Sequence, residues 1–203
     1  MMKNQGALLI FAKAPVAGQV KTRLIPDVGR QRATDLYKEF LTKTLNTAIR
    51  AEFSENHIWV SGNISHQYFT QLKNKKLFKF HQQKGKDLGE RMFNAFDSTL
   101  DKYPYAVLIG SDCPSLLSSD IQAAMKLLEN GKDLVLGPAE DGGYYLIGLR
   151  TNNSELFSNI KWGKENVFSE TCSRAKKINY YVELLPMRND IDRVSDLHSY
   201  LRM

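Results

Sequence analysis

The sequence predicts an α/β protein with a mixed, mainly parallel sheet, and three observations carry that expectation. Short apolar runs alternate with amphipathic helical stretches over the first two-thirds of the 203-residue chain, the pattern of successive βαβ units. One run, Tyr105 to Gly110, is apolar almost throughout, as strands buried on both faces of a parallel sheet are. The connection Ala139 to Gly143 is too short for a crossover helix, so the strands flanking it do not pair as parallel neighbours.

Ala7 to Ala12 reads as a buried strand. The segment after it, Lys13 to Leu24, holds Pro15, Gly18 and the cations Lys13, Lys21 and Arg23, and a long helical pattern begins only after Gly29. Between Arg30 and Arg50, apolar residues at Ala33, Leu36, Tyr37, Phe40, Leu41, Leu45, Ala48 and Ile49 define an amphipathic helix with one broad buried face. His57–Ser61 and Leu77–His81 read as the second and third strands, with His57 and His81 taken as strand-end residues. Leu88, Met92, Ala95, Phe96 and Leu100 mark a helix opened by Asp87 as N-cap. After the Tyr105–Gly110 strand, Ile121, Ala124, Met125 and Leu128 lie on a helix capped by Ser118 or Ser119 and stopped at Gly131. Asp133–Pro138 and Tyr144–Leu149 are two further strands, and Tyr180–Leu185 a last one before a helical segment near Val194–Leu201. No repeat, low-complexity stretch or linker divides the chain, so one domain over residues 1–203 is expected.

Hydrophobic content of 42% and charged content of 25% are ordinary for a soluble globular protein. No apolar run approaches the roughly 18 residues of a membrane helix, and no signal-peptide pattern opens the chain, so a cytoplasmic protein without a membrane partner is expected. Cys113 and Cys172 offer neither metal-ligand spacing nor a disulfide framework. The formal charge of +6 comes from basic residues interleaved with acids, and no nucleic-acid motif accompanies it; no nucleic-acid partner is expected. Four histidines without i, i+4 pairing argue against a histidine-based metal site or triad.

The chemistry gathers in loops that follow strands. A loop at the carboxyl end of a parallel strand is where open α/β sheets bind ligands. In the first such loop, small residues let backbone N–H groups approach an anion, while lysine and arginine supply charge for phosphate. Neither G-x-x-x-x-G-K-[ST] nor G-x-G-x-x-G is present; a solvated loop is the plain alternative to a polyphosphate site. Asp112, just past Gly110, is placed to hold Mg²⁺, which takes one or two carboxylates plus substrate phosphates; capping a turn before Pro114 is its other reading. Asp141-Gly142-Gly143 permits close backbone approach to a ligand or simply makes a turn. Asp190 and Asp192, after the last strand, supply a second metal ligand or complement the dipole of the final helix.

Phe11-Ala-Lys13-Ala-Pro15-x-x-Gly18-x-Val-Lys21-Thr-Arg23-Leu24, Asp87-Leu-Gly89-Glu-Arg91-Met92, Gly110-Ser-Asp112-Cys-Pro114 and Gly137-Pro-Ala-Glu-Asp141-Gly142-Gly143-Tyr144-Tyr145 together resemble a bacterial family of uncharacterised GT-A-type transferases. That family belongs to the nucleotide-diphospho-sugar transferase superfamily, with molybdenum-cofactor and 2-phospho-lactate guanylyltransferases. Asn189-Asp-Ile-Asp192-Arg-Val-Ser-Asp196-Leu197 is similar to its closing motif, so the likeness spans nearly the whole chain. The resemblance implies a single Rossmann-like, three-layer domain that binds a nucleotide over the carboxyl ends of its strands. It implies that Lys13, Gly18, Lys21, Arg23, Arg91, Asp141, Gly142 and Gly143 bind the nucleotide, that Lys21 and Asp112 are catalytic, and that Asp112 and Asp192 hold Mg²⁺ or Mn²⁺. The chain departs from the glycosyltransferase Asp-x-Asp, since Cys113 and Pro114 follow Asp112.

Two reactions compete. In nucleotidyl transfer a substrate phosphate attacks the α-phosphorus of an NTP and pyrophosphate leaves; the nucleophile is already ionised and the demand is for cations on the phosphates. In glycosyl transfer from an NDP-sugar, a small acceptor's hydroxyl needs a general base, for which Asp141 is the candidate. The cationic first loop favours nucleotidyl transfer. A catalytically idle nucleotide-binding protein is the third reading, and no residue identifies the base, the sugar or the acceptor.

Overall fold

The first apolar run forms β1 (Ala7–Lys13), buried over all but its last residue. The elements that follow are α1 (Ile25–Arg50), β2 (Glu55–Ser61), α2 (Gln67–Lys73), β3 (Lys79–Gln82), α3 (Leu88–Leu100), β4 (Ala106–Ile109), α4 (Ser118–Glu129), β5 (Leu134–Pro138), β6 (Tyr144–Leu149), α5 (Val167–Lys177), β7 (Val182–Leu184) and α6 (Val194–Leu201). These coordinates are a computed structural model that describes residues 5–73, 76–191 and 194–201.

The seven strands form one sheet in the order β3-β2-β1-β4-β6-β5-β7. All run parallel except β6, which is antiparallel to both β4 and β5, as the short Ala139–Gly143 connection requires. The chain steps outward from β1 to β2 and β3, then returns to lay β4 on the other side of β1. That reversal makes the carboxyl ends of β1 and β4 a topological switch point. β4 pairs with β1 only as far as Ile10↔Ile109, whereas β2 follows β1 to Lys13↔Ser61. The two central strands therefore part over Phe11–Lys13, and a cleft opens between their loops.

Alternation along the strands sorts the core into two layers. Leu8, Ile10, Val107 and Ile109 face Tyr37, Leu41 and Leu45 of α1 and Ile121, Ala124 and Leu128 of α4. On the other side Leu9, Phe11 and Leu108 share a core with Met92 and Phe96 of α3 and Ala175 of α5. A smaller cluster, including Leu24, Leu36, Phe40, Ile191 and Leu197, packs α6 and the end of the first loop on α1. The result is a three-layer α/β domain, with the mixed sheet that the sequence pattern predicts and the layering that the family resemblance implies.

Several details differ from expectation. Helical hydrogen bonding starts at Ile25, ahead of Gly29, whose φ of 80° breaks the helix before its long continuous part. α2 and α5 are additional helices. Their fully buried residues are few: Phe69 on α2, and Val167, Thr171 and Ala175 on α5. Ser118 and Ser119 do not cap α4; the Asp120 carboxylate reaches back to accept the Leu117 N–H at 3.0 Å. His57 and His81 are not strand ends but sit within β2 and β3, ring nitrogens 2.9 Å apart. Burial and the neighbouring His81 lower the His57 pKa to about 4. Among the described residues no helix is long and apolar enough to cross a membrane.

Candidate functional site

The cleft between β1 and β4 has a built floor. On β1, Ala7 donates its N–H to Tyr105 O, toward β4, and Ala14 donates to Ser61 O, toward β2. By strand alternation the N–H and C=O of Lys13 point to the β4 side, where β4 has ended. The Tyr37 hydroxyl meets them, accepting from Lys13 N–H at 2.7 Å and donating to Lys13 O at 3.1 Å. It also lies 3.2 Å from Ser111 Oγ, next to Asp112. Burial, then the negative charge of Asp112, raises the Tyr37 pKa far above the ordinary phenol value.

Lys21 bridges the top of the cleft. Its backbone is left-handed, φ 45° and ψ 43°, a region that residues other than glycine enter sparingly. Its ammonium donates to Ile191 O at 2.7 Å and lies 3.2 Å from Asp112 Oδ1, with only 3% of the Lys21 side chain exposed. The ring centroid of Phe40 is 5.9 Å from the same nitrogen. The picture of a solvated loop cation is therefore corrected for Lys21: it is buried and ion-paired. Lys13 and Arg23 are exposed. Gly18 takes φ +84°, and a Cβ there would come within 3.8 Å of Arg30 Cδ.

Asp112 faces both ways. Its side chain is 48% exposed, yet Oδ1 is buried and makes no hydrogen bond, so the ammonium of Lys21 is its compensation. The backbone carbonyl of Asp112 accepts from Ile191 N–H at 3.2 Å. Ile191 belongs to a closing segment that leaves β7 and crosses the carboxyl edge. Along it Leu185 donates to Leu136 O at 2.9 Å and Arg188 to Pro138 O at 3.1 Å. The Arg188 guanidinium grips the buried Asp120 with two bonds, 2.8 and 3.0 Å. Tyr145 donates to Pro186 O at 2.9 Å, and Ser115 to Asn189 O at 3.1 Å. Asp190, read from sequence as a metal ligand or a complement to the dipole of the last helix, faces Cys113, whose thiol is pushed up to about 12 by burial and by that carboxylate. Asp192 lies outside the described residues.

Arg91 stands one strand over, in the first turn of α3. It donates to Gly85 O at 3.1 Å and to Ser61 Oγ at 3.4 Å, beside the Ala14–Ser61 bond that ends the β1–β2 ladder. The Asp141–Gly143 turn shares this edge, because Gly110 N–H bonds Tyr145 O at 3.3 Å. Asp141 is exposed and accepts the Gly143 N–H at 2.9 Å. The close approach that Gly142 permits is internal: at φ +85° its Cβ would fall 2.0 Å from Glu165 O. Lys13, Lys21, Arg91, Asp112 and Asp141 thus lie along one edge of the sheet, and of them Lys21 and Asp112 are in contact.

A divalent metal fits this edge in one manner. Among the described residues no three His, Cys, Asp or Glu side chains cluster as a cage, but the Asp112 carboxylate offers a half-exposed outward face, its inward oxygen being held by the Lys21 ammonium. Mg²⁺ held by one or two carboxylates and completed by substrate phosphates asks for no more. Sequence reasoning missed the roles of Tyr37, Arg188 and the Ile191 carbonyl. Tyr37 reads as one more core residue of α1, and a carbonyl has no sequence signature. The Gly110–Pro114 and Asn189–Asp192 motifs, both at strand ends, were the available signal for their contact.

Comparison with known proteins agrees with this architecture. A family model described as uncharacterized protein conserved in bacteria (DUF2064) matches residues 44–164. A protein of Desulfovibrio desulfuricans G20, provisionally named a nucleotide-diphospho-sugar transferase, is 35% identical, with a TM-score of 0.88 over 98% of this chain and 87% of that one. CMP:2-keto-3-deoxy-manno-octonic acid synthetase complexed with CTP superposes with a TM-score of 0.60 at 10% identity, over 97% of this chain and 96% of that one. Rv0371c of Mycobacterium tuberculosis H37Rv in complex with manganese gives 0.58 at 14% identity, over 98% of both chains. A search of the curated proteins found no significant match. The span of the family model and the likeness to the Desulfovibrio protein place the chain: it belongs to the bacterial DUF2064 family and has the nucleotide-diphospho-sugar transferase fold.

Proposed function

We propose that the protein is a metal-dependent nucleotidyltransferase that moves a nucleoside monophosphate from an NTP to a small phosphorylated substrate. The observation that carries the reading is the Lys21–Asp112 ion pair, 3.2 Å long, spanning the switch-point cleft. It sets a cation and a carboxylate face to face where a triphosphate with its metal needs both. Asp112, with Asp192 as second ligand, would hold Mg²⁺ or Mn²⁺, which supplies charge neutralisation on the phosphates. Lys13, Arg23 and Arg91 attract and orient the phosphate oxygens, Lys21 adds its charge through the pair with Asp112, and the turn at Gly18 leaves the backbone room to approach them. The substrate phosphate attacks the α-phosphorus, the α–β P–O bond breaks and pyrophosphate departs, so no side chain has to remove a proton. A CTP complex and a manganese complex among proteins of this fold support the ligand class, and the resemblance to guanylyltransferases makes GTP a second candidate.

Glycosyl transfer from an NDP-sugar is the second reading, favoured by the name of the Desulfovibrio relative. It needs a general base, and Asp141 already spends one oxygen on the Gly143 N–H. Thermal stabilisation by the four NTPs and by NDP-sugars, with and without Mg²⁺, separates the readings. We expect an Mg²⁺-dependent shift with an NTP, abolished in Asp112→Ala and weakened in Asp192→Asn. A shift with NDP-sugars alone would select glycosyl transfer, and full NTP binding by Asp112→Ala would remove that residue from the metal site.

A further inference from the structure

We propose that Tyr37 is the positioning residue of the switch-point cleft, its hydroxyl holding the Lys13 end of β1 and the Ser111–Asp112 loop at a fixed separation so that both sides meet one ligand. The class of ligand rests on the nucleotide reading above; the brace itself rests on geometry. Past Ile10↔Ile109 the β4 side of β1 has lost its partner strand, which would leave the Lys13 peptide groups orphaned beside the site. One hydroxyl replaces the strand. A phenol oxygen has one proton and two lone pairs, and the three contacts at 2.7, 3.1 and 3.2 Å use all of them when Ser111 donates to Tyr37.

The post that carries the hydroxyl is rigid. Tyr37 is 1% exposed, and Leu41 and Leu45 beyond it on α1 are buried in the same core. Phenylalanine would fill that space equally well, so the hydroxyl serves the two loops rather than the packing. Those loops come from strands that are neighbours in the sheet yet nearly a hundred positions apart in sequence, and each ends in candidate site residues: Lys13 on one side, Asp112 on the other. Without the hydroxyl the cleft loses the bond that sets its width, and a ligand must supply that ordering itself.

The test compares wild type with Tyr37→Phe and Ser111→Ala. Exchange of the Lys13 amide is followed by NMR, and affinity for Mg²⁺–CTP and Mg²⁺–GTP by calorimetry. Leu45→Ala serves as a destabilised control on the same helix. We expect Lys13 exchange to accelerate about tenfold in Tyr37→Phe, the loss of roughly one hydrogen bond. Nucleotide affinity should fall by a similar factor, while the control loses melting temperature and keeps its affinity. Ser111→Ala should weaken affinity without exposing the Lys13 amide, and it still tests the brace if Tyr37→Phe does not fold. Unchanged affinity in both variants, or an equal loss in Leu45→Ala, would overturn the proposal. If wild type binds neither nucleotide, the functional reading fails on its own. The Lys13 amide then decides the brace, which falls if Tyr37→Phe leaves it protected.

Discussion

An ammonium bonded to a main-chain carbonyl and withdrawn from water contributes to stability as well as to charge. Lys21→Met should cost about 2 kcal/mol, the scale of a hydrogen bond to a charged group, or a fall of roughly 6 °C in melting temperature for a chain of this size. Lys13→Ala, at an exposed position, should lower nucleotide affinity and leave the melting temperature within about 1 °C. Differential scanning fluorimetry of both variants checks the contrast; equal melting temperatures would mean that Lys21 is not held as described. Sequence reading found both lysines by the same signal, a cationic loop after an apolar strand. It could not tell the buried one from the exposed one, because the acceptor for Lys21 is Ile191, 170 positions away. Asp112 was legible by its place after a strand, whereas its inward oxygen was not.

Elements announce themselves in sequence when they carry a long buried apolar pattern, as β1, β4 and the helices α1, α3 and α4 do. α2 and α5 stayed hidden because their buried faces are short or threonine-bearing. The course of the closing segment was hidden for another reason: it is neither helix nor strand, and main-chain bonds to β5 together with the Arg188–Asp120 pair fix it. Arg188→Met would leave Asp120, 4% exposed, as a buried carboxylate without its two guanidinium bonds. The expected loss is about 3 kcal/mol, read as a lower urea midpoint at unchanged m-value. Adding Asp120→Asn should recover part of it, since an amide needs no counter-charge. If Arg188→Met is as stable as wild type, the pair does not hold the segment.

Across the whole molecule, acid sensitivity should trace to the far side of the sheet. His57 stacks on His81 with ring centroids 5.0 Å apart, meets Tyr103 edge-on, and is near Lys79, Lys102 and Glu55. The folded imidazole stays neutral down to about pH 4, whereas the unfolded one protonates near 6.5. Between those values protons bind the unfolded chain preferentially. The contribution is therefore complete above pH 6.5 and lost as pH falls toward 4. Melting temperatures across that range should fall more steeply in wild type than in His57→Phe; parallel curves would assign the loss to other groups. The carboxyl edge, by contrast, was readable in outline before any coordinates, since parallel βα units put their strand-end loops on one edge of the sheet; the strand order that makes it a switch point was not. One further consequence lies in the order of synthesis. By Leu149 the chain has supplied β1 to β6, the cationic loop and Asp112, but the carbonyl that anchors Lys21 belongs to residue 191. A ribosome emits that carbonyl some forty residues after Leu149. Polypeptides stalled or clipped between the two would have the material for most of the sheet and none for the anchor, so the strands can pair before the Lys21 contact can form.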